Sequence, residues 1–162
     1  MRAYFQTFGL PVVVTNCSNN YGPFQHREKF IPTIITACVA QQAIPVYGDG
    51  SNIRDWLYVD DHCRAIDVVM RGGRVGESYN IGGTNEWANI DLVRHICRIM
   101  DERRPQHAPH ERLIAFVRDR PGHDWRYAID SGKIERELGW HPRATFDSGI
   151  RQTIAWYCGE RG

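Results

Sequence analysis

The chain has 162 residues, 42% of them hydrophobic and 24% charged, which suits one globular domain with a real core and excludes a disordered chain. Its 20 Lys and Arg nearly balance its 19 Asp and Glu, for a formal charge of +1, so it is not built to coat nucleic acid or an anionic membrane, and any anion it binds must meet a local cluster of cations. No apolar stretch approaches the roughly 18 residues that span a bilayer, and the first residues lack the basic-then-apolar pattern of a signal peptide, so a cytoplasmic protein is expected.

Strands and helices alternate along the chain. Residues 1–8 read as the end of a helix with nothing before it to cap or bury it, as though the sequence starts inside a domain. Val12 to Thr15 form a short β-branched run, expected as a strand buried on both faces. Asn16 to Arg27 is polar, contains Gly22-Pro23, and reads as a loop. Over 29–41 the apolar residues Phe30, Ile31, Ile34, Ile35, Cys38 and Val39 have helical spacing, with Pro32 tolerated in the first turn. Strands are expected at 44–48 and 55–59, around the turn Gly48 to Ser51. Asp60 or Asp61 is placed to cap a helix with apolar positions Ala65, Ile66, Val69 and Met70, stopped by Gly72-Gly73.

Residues 78–83 read as a strand, and Asn89 as a possible cap for a helix with Leu92, Val93, Ile96, Ile99 and Met100 on its apolar face. A strand at 113–117 and helices near 131–138 and 147–158 complete an α/β pattern with a largely parallel sheet. The five cysteines are odd in number and show no CxxC spacing, so reduced thiols are expected, with neither a disulfide framework nor a zinc site. Cys38, Cys63 and Cys97 fall within helical patterns and read as small buried hydrophobes.

Three polar constellations stand out, each with two readings. Asn16 to Pro23 follows a strand, where ligands of open parallel sheets bind; its adjacent amides are either ligand contacts or turn formers. In Arg54 to His62, Arg54 either forks onto a phosphate or pairs with Asp55 or Asp61, while His62 reads as structural. In Asp119 to Arg126, Arg120, His123 and Arg126 form either a diphosphate clamp or a solvated charged loop. Lys29 is a ligand cation or a surface lysine, and Asn89 a contact or a cap. Together these point to a polar, anionic ligand. No GxGxxG or GxxGxxG turn and no Tyr-x-x-x-Lys pair occurs, so the sequence offers no dinucleotide-phosphate loop and no phenol–ammonium pair on one helix face.

The segments 18–23, 45–50, 54–62, 79–83, 119–130 and 133–140 resemble the dTDP-glucose 4,6-dehydratases, extended members of the short-chain dehydrogenase/reductase superfamily. The resemblance runs in order through essentially the whole chain. It implies an α/β fold that is the C-terminal substrate-binding part of an extended Rossmann-type short-chain dehydrogenase, lacking the N-terminal βαβ dinucleotide-binding units. Residues 1–28 are then a remnant of the NAD-binding sheet, and 29–162 are mainly the sugar-nucleotide-binding region with strands returning to the sheet.

By position, the resemblance implies that Asn19 contacts the substrate diphosphate and Asn20 the NAD cofactor. Lys29 and Phe30 match a Lys-Leu pair on the substrate, with Phe in place of Leu. Pro45, Val46 and Tyr47 match the segment packing on thymine. Arg54, Asn89 and the loop Asp119, Arg120, Pro121, Gly122 and His123 match further nucleotide-diphosphate contacts. Trp125 stands where Arg is common, outside these contacts. The family reaction removes hydride from C4 of the glucose, expels water across C5–C6 and returns hydride to C6, in deoxysugar biosynthesis of the rhamnose type, with tightly held NAD. Its glycine-rich loop, Asp-Glu pair, Tyr and Lys all lie upstream of the position matched by Met1, so no catalytic residue and no metal ligand is expected here, and no turnover by this chain alone. The family forms homodimers through helices that include the one cut at Met1. Strands of the dinucleotide sheet left without neighbours expose apolar faces, so the isolated chain is expected to be marginal or partner-dependent.

Overall fold

The computed structural model describes residues 1–159. Fourteen helices and strands alternate: α1 (Arg2–Phe8), β1 (Val14–Cys17), β2 (Asn19–Tyr21), α2 (Phe30–Ala40), β3 (Ile44–Tyr47), β4 (Ile53–Tyr58), α3 (Val59–Gly72), β5 (Ser78–Ile81), β6 (Glu86–Ala88), α4 (Asn89–Arg103), β7 (Ile114–Val117), β8 (Arg126–Tyr127), α5 (Gly132–Leu138) and α6 (Phe146–Tyr157). Two short 3₁₀ turns lie between α4 and β7. The α/β expectation holds, and the pairing is mostly parallel: β1 with β5, β3 with β7, and β4 with both β2 and β8, while β6 joins β4 antiparallel. The predicted strands 44–48 and 55–59 do flank the Gly48–Ser51 turn, but each pairs elsewhere rather than with the other.

Strand β4 organises the molecule because every residue from Arg54 to Tyr58 is buried. Alternation along the strand sends Trp56 and Tyr58 one way and Leu57 the other. Trp56 and Tyr58 enter a core built by α2, α4 and α6, where Ile31, Ile34, Ile35, Leu92, Ile96, Ile150 and Ile154 are fully enclosed. Leu57 enters a second core with Ala65 and Val69 of α3, Tyr79 and Ile81 of β5, Ile134 of α5 and Trp140. Each enclosed Ile or Leu contributes about 1.5–3 kcal/mol relative to exposure.

Several expectations need correction. The strand over Val12 to Thr15 lies two residues later, as β1, and is not buried on both faces. Among the described residues it has one neighbour, β5, and Thr15 and Asn16 are exposed. Asn16 to Arg27 is not all loop, since β1 runs to Cys17 and β2 docks on β4. Ile66 and Met70 are 38% and 81% exposed, being a helical step of 100° round α3 from the Ala65 and Val69 stripe that faces the core. Cys63 is exposed on that outer side, whereas Cys38 and Cys97 are buried as expected.

Neither Asp60 nor Asp61 caps α3, which begins at Val59 after an extended Tyr58. Asp61 instead sits in the first turn and accepts the backbone N–H groups of Arg143 (3.0 Å) and Ala144 (2.9 Å), together with the Arg64 guanidinium. Burial alone would raise its pKa. Donation from Ala144, Arg64 and Arg143 outweighs that and holds the carboxyl below the usual range. No helix among the described residues is long and apolar enough to cross a membrane.

Candidate functional site

Beside β4 lies a cleft of about 250 Å³ lined by Asn19, Phe30, Tyr47, Arg54, Trp56, Asn89, Arg120 and His123. These residues come from β2, α2, β3, β4, α4 and the loop after β7. The parallel register sets Asn19 directly opposite Trp56, so both face the cleft, and Arg54, two residues earlier on β4, shares that face. Phe30 stacks on Trp56 at 6.3 Å between centroids with planes 19° apart, giving an aromatic wall. Across from it the Tyr47 ring meets the His123 imidazole edge-on at 6.4 Å.

Asn89 does not cap α4; that position belongs to Ala88. The helix is started instead by the loop before β4, where the carbonyls of Asn52 and Gly50 accept the N–H groups of Asn89 (3.0 Å) and Ile90 (2.9 Å). This frees the Asn89 amide for the cleft. Gly50 is required there: its φ is +76°, and a Cβ would stand 2.8 Å from Ile90 and Val46 side chains.

Arg54 pairs with neither Asp55 nor Asp61. Its Nη1 donates to the Ile53 carbonyl (2.7 Å) and its Nη2 to the Asp124 carbonyl (2.8 Å). Asn52 donates to the same Asp124 carbonyl at 3.2 Å, and Ile53 N–H to the Trp125 carbonyl at 2.8 Å, so the end of the 118–125 loop is tied down along β4. Burial lowers the Arg54 pKa, Asp124 opposes this and Arg120 adds to it; arginine still stays charged. Asp55, 1% exposed, faces away from the cleft and takes the N–H groups of Gly83 (2.9 Å) and Asn85 (2.8 Å).

Within the loop, Asp119 Oδ1 lies 2.7 Å from His123 Nδ1 and accepts the Arg120 N–H at 2.8 Å. The His123 hydrogen bond is the main reason the Asp119 carboxyl sits below its usual range. The loop thus brings Arg120 and His123 into the same cleft as Arg54 and the side-chain amides of Asn19 and Asn89. Such a set can fork onto paired phosphates while the aromatic walls hold a planar ring.

Other expected positions fall outside this lining. Lys29 is exposed and occupies the extended position just before α2. Val46 is fully buried in the main core, Pro45 is half-buried beside it, and Pro121 and Gly122 shape the loop from the solvent side. Arg126 leaves the expected clamp, forming a two-pronged pair with Glu86 at 2.7 Å for each bond. Trp56 is the lining residue that sequence reasoning missed; its position two residues after Arg54 on a strand was the available signal.

Asn20 points to the opposite side of β2 from Asn19, into a second cleft of about 250 Å³ with Tyr21, Gly22, Pro23, Phe24, Gln25 and Val59. Its Nδ2 donates to Ser18 O (3.1 Å) and Cys17 Sγ (3.3 Å), while Asn20 Oδ1 and Gln25 Oε1 are buried acceptors without a partner. The described residues do not form a cradle for the NAD pyrophosphate. The one Gly-Gly pair after a strand is Gly82-Gly83, where the Gly83 N–H is taken by Asp55 and a Cβ would fall 1.9 Å from the Trp56 carbonyl oxygen, so no ligand fits against it.

A family model described as GDP-mannose 4,6 dehydratase matches residues 1–153. A probable dTDP-glucose 4,6-dehydratase of Sinorhizobium fredii is 57% identical over 96% of this chain and 44% of its own length. The dTDP-glucose 4,6-dehydratase of Xanthomonas campestris is 55% identical over 97% of this chain and 45% of its own. The crystal structure of the Bacillus anthracis dTDP-glucose 4,6-dehydratase in complex with NAD superposes with a TM-score of 0.89 at 47% identity, over 98% of this chain and 48% of that one. The chain thus spans a little under half the length of the relatives it matches. With the model covering nearly every residue, the chain belongs to the GDP-mannose 4,6-dehydratase family, and its high similarity there is to dTDP-glucose 4,6-dehydratases.

Proposed function

We propose that this chain carries the nucleotide-sugar-binding half of a dTDP-glucose 4,6-dehydratase, and that the cleft beside β4 takes the dTDP moiety. The observation that carries the reading is convergence. Asn19, Phe30, Tyr47, Arg54, Asn89, Arg120 and His123, singled out by resemblance, come from distant parts of the chain to line one cleft of cations, amides and aromatic rings. Arg54, Arg120 and His123 meet the diphosphate, Asn19 and Asn89 supply directional hydrogen bonds, and Phe30 with Tyr47 flank the base. Pro45 and Val46 act by placing Tyr47, and Pro121 and Gly122 by shaping the loop. Lys29 reaches the ligand from the start of α2.

In this reading residues 1–28 belong with the NAD-binding sheet and 29–162 mainly with the substrate, and Asn20 faces the cofactor side. The family reaction converts dTDP-glucose to dTDP-4-keto-6-deoxyglucose. Hydride transfer and water loss need groups that this sequence does not supply, so the chain binds and orients substrate while chemistry depends on a dinucleotide-binding half. Its site of action is the cytoplasm.

The test is calorimetric titration of the purified chain with dTDP-glucose. Saturable one-to-one binding is expected. An absence of heat at about 1 mM ligand, where even an interaction of about 4 kcal/mol is half-saturated, would overturn the reading.

A further inference from the structure

We propose that Asp119 is a positioning residue that commits His123 to meet the diphosphate as an imidazolium, so that binding of the nucleotide sugar takes up a proton. The proposal rests on the functional reading above and adds to it a protonation state and a residue that acts through another.

The His123 side chain is 7% exposed and its Nδ1 lies 2.7 Å from Asp119 Oδ1. An ionised carboxylate only accepts, so Nδ1 carries a proton and donates. In a neutral ring protonated at Nδ1, Nε2 holds a lone pair and can only accept. Phosphodiester oxygens also only accept. A neutral His123 would therefore turn a lone pair toward the diphosphate, and only the imidazolium can donate from Nε2 while keeping the bond to Asp119. Asp119 cannot swing away cheaply, because the same oxygen takes the Arg120 N–H at 2.8 Å. Asp119 itself does not line the cleft.

The other groups facing the ring come from every surrounding element. Arg120 lies on the same loop and Arg54 on β4, both cationic; Asp124, next along the loop, is a carboxylate whose charge acts on Arg54; Tyr47 at the end of β3, Asn19 on β2 and Asn89 at the start of α4 are uncharged. An arriving dianion places negative charge beside the ring and favours its protonated form. The protonated form is the binding form. Affinity is therefore full at low pH and falls as pH rises through the ring's titration, by at most tenfold per unit for one proton.

The experiment is calorimetric titration of the full chain with dTDP-glucose from about pH 6 to pH 8.5, in two buffers of different ionisation enthalpy, across the range where imidazoles titrate. Both phosphates of this probe are diesters, so it lacks the monoester ionisation near about pH 6 that would confuse the profile. The expected result is a Kd that rises up to tenfold per unit toward alkaline pH, with proton uptake approaching one. His123→Gln should bind weakly and without pH dependence. Asp119→Asn can donate to Nδ1 as well as accept from it, so a neutral ring can carry its proton at Nε2, and proton uptake on binding should fall toward zero. A flat wild-type profile without proton uptake would overturn the proposal alone. So would an Asp119→Asn variant that binds less tightly with unchanged proton uptake, the signature of a merely structural role. Absence of binding at every pH would overturn the functional reading and this proposal together.

Discussion

Replacing Arg54 with Ala removes one of the cleft's cations. Of the five N–H donors of the guanidinium, one bonds the Ile53 carbonyl and one the Asp124 carbonyl, which leaves three for a ligand. A single charge-assisted hydrogen bond is worth about 1.5–3 kcal/mol, so losing one to the diphosphate should weaken dTDP-glucose binding by roughly ten- to a hundredfold. Stability should fall less. The two carbonyls left behind belong to residues that are not buried, Ile53 at the start of β4 and Asp124 in the loop, at a cost of about 0.5–1.5 kcal/mol each. Arg54→Lys separates the two effects: the ammonium keeps the charge but cannot span two carbonyls and a phosphate, so it should bind between wild type and Ala while losing almost as much stability. Titration with dTDP-glucose alongside urea unfolding reads both quantities. Binding by Arg54→Ala within twofold of wild type would refute the placement of the diphosphate in this cleft.

Asp61→Ala should destabilise the chain by about 2–5 kcal/mol in urea unfolding, because the backbone N–H groups of Arg143 and Ala144 lose their acceptor inside the fold. The Asp61 carboxyl is held below its usual range in the folded chain. Its stabilisation is therefore complete above the unfolded value of about 3.9 and lost as pH falls through the lower folded value, so the gap between wild type and Asp61→Ala should close below about pH 4. Gly83→Ala forces a Cβ to within 1.9 Å of the Trp56 carbonyl oxygen, a backbone atom that cannot swing aside. It should cost at least about 3 kcal/mol and, by displacing Trp56, weaken nucleotide binding as well.

Much of this fold was legible because its longer elements carry a clean period. α2 and α4 show their buried stripes in Ile31, Ile34, Ile35 and in Leu92, Ile96, Ile99, and Gly73 ends α3 where Gly72-Gly73 predicted a stop. The misses share one cause, which is tertiary context acting on short segments. β2, β6 and β8 have two or three residues each, too few for an alternating pattern, and exist because β4 offers them backbone partners. The amides at Asn19 and Asn20 look like turn formers until docking on β4 sends them to opposite sides. Asn89 reads as a cap because Asn caps helices, yet carbonyls from residues 50 and 52, far along the chain, do that work. In the cleft, the cations and amides were found through motif resemblance. Arg126 looked equivalent to Arg120 in the sequence, and only the short β8 pairing, which sets it against Glu86, tells them apart.

The most direct test of the central claim is a map of where the nucleotide sugar sits, from ¹H–¹⁵N spectra of the chain recorded with increasing dTDP-glucose. The account predicts that the side-chain amides of Asn19 and Asn89, the Arg54 Nε–H and the backbone of residues 119–123 shift together with one Kd, while Arg126 stays unmoved in its pair with Glu86. Shifts centred on the second cleft around Asn20 and Gln25 instead, with Arg54 silent, would contradict it.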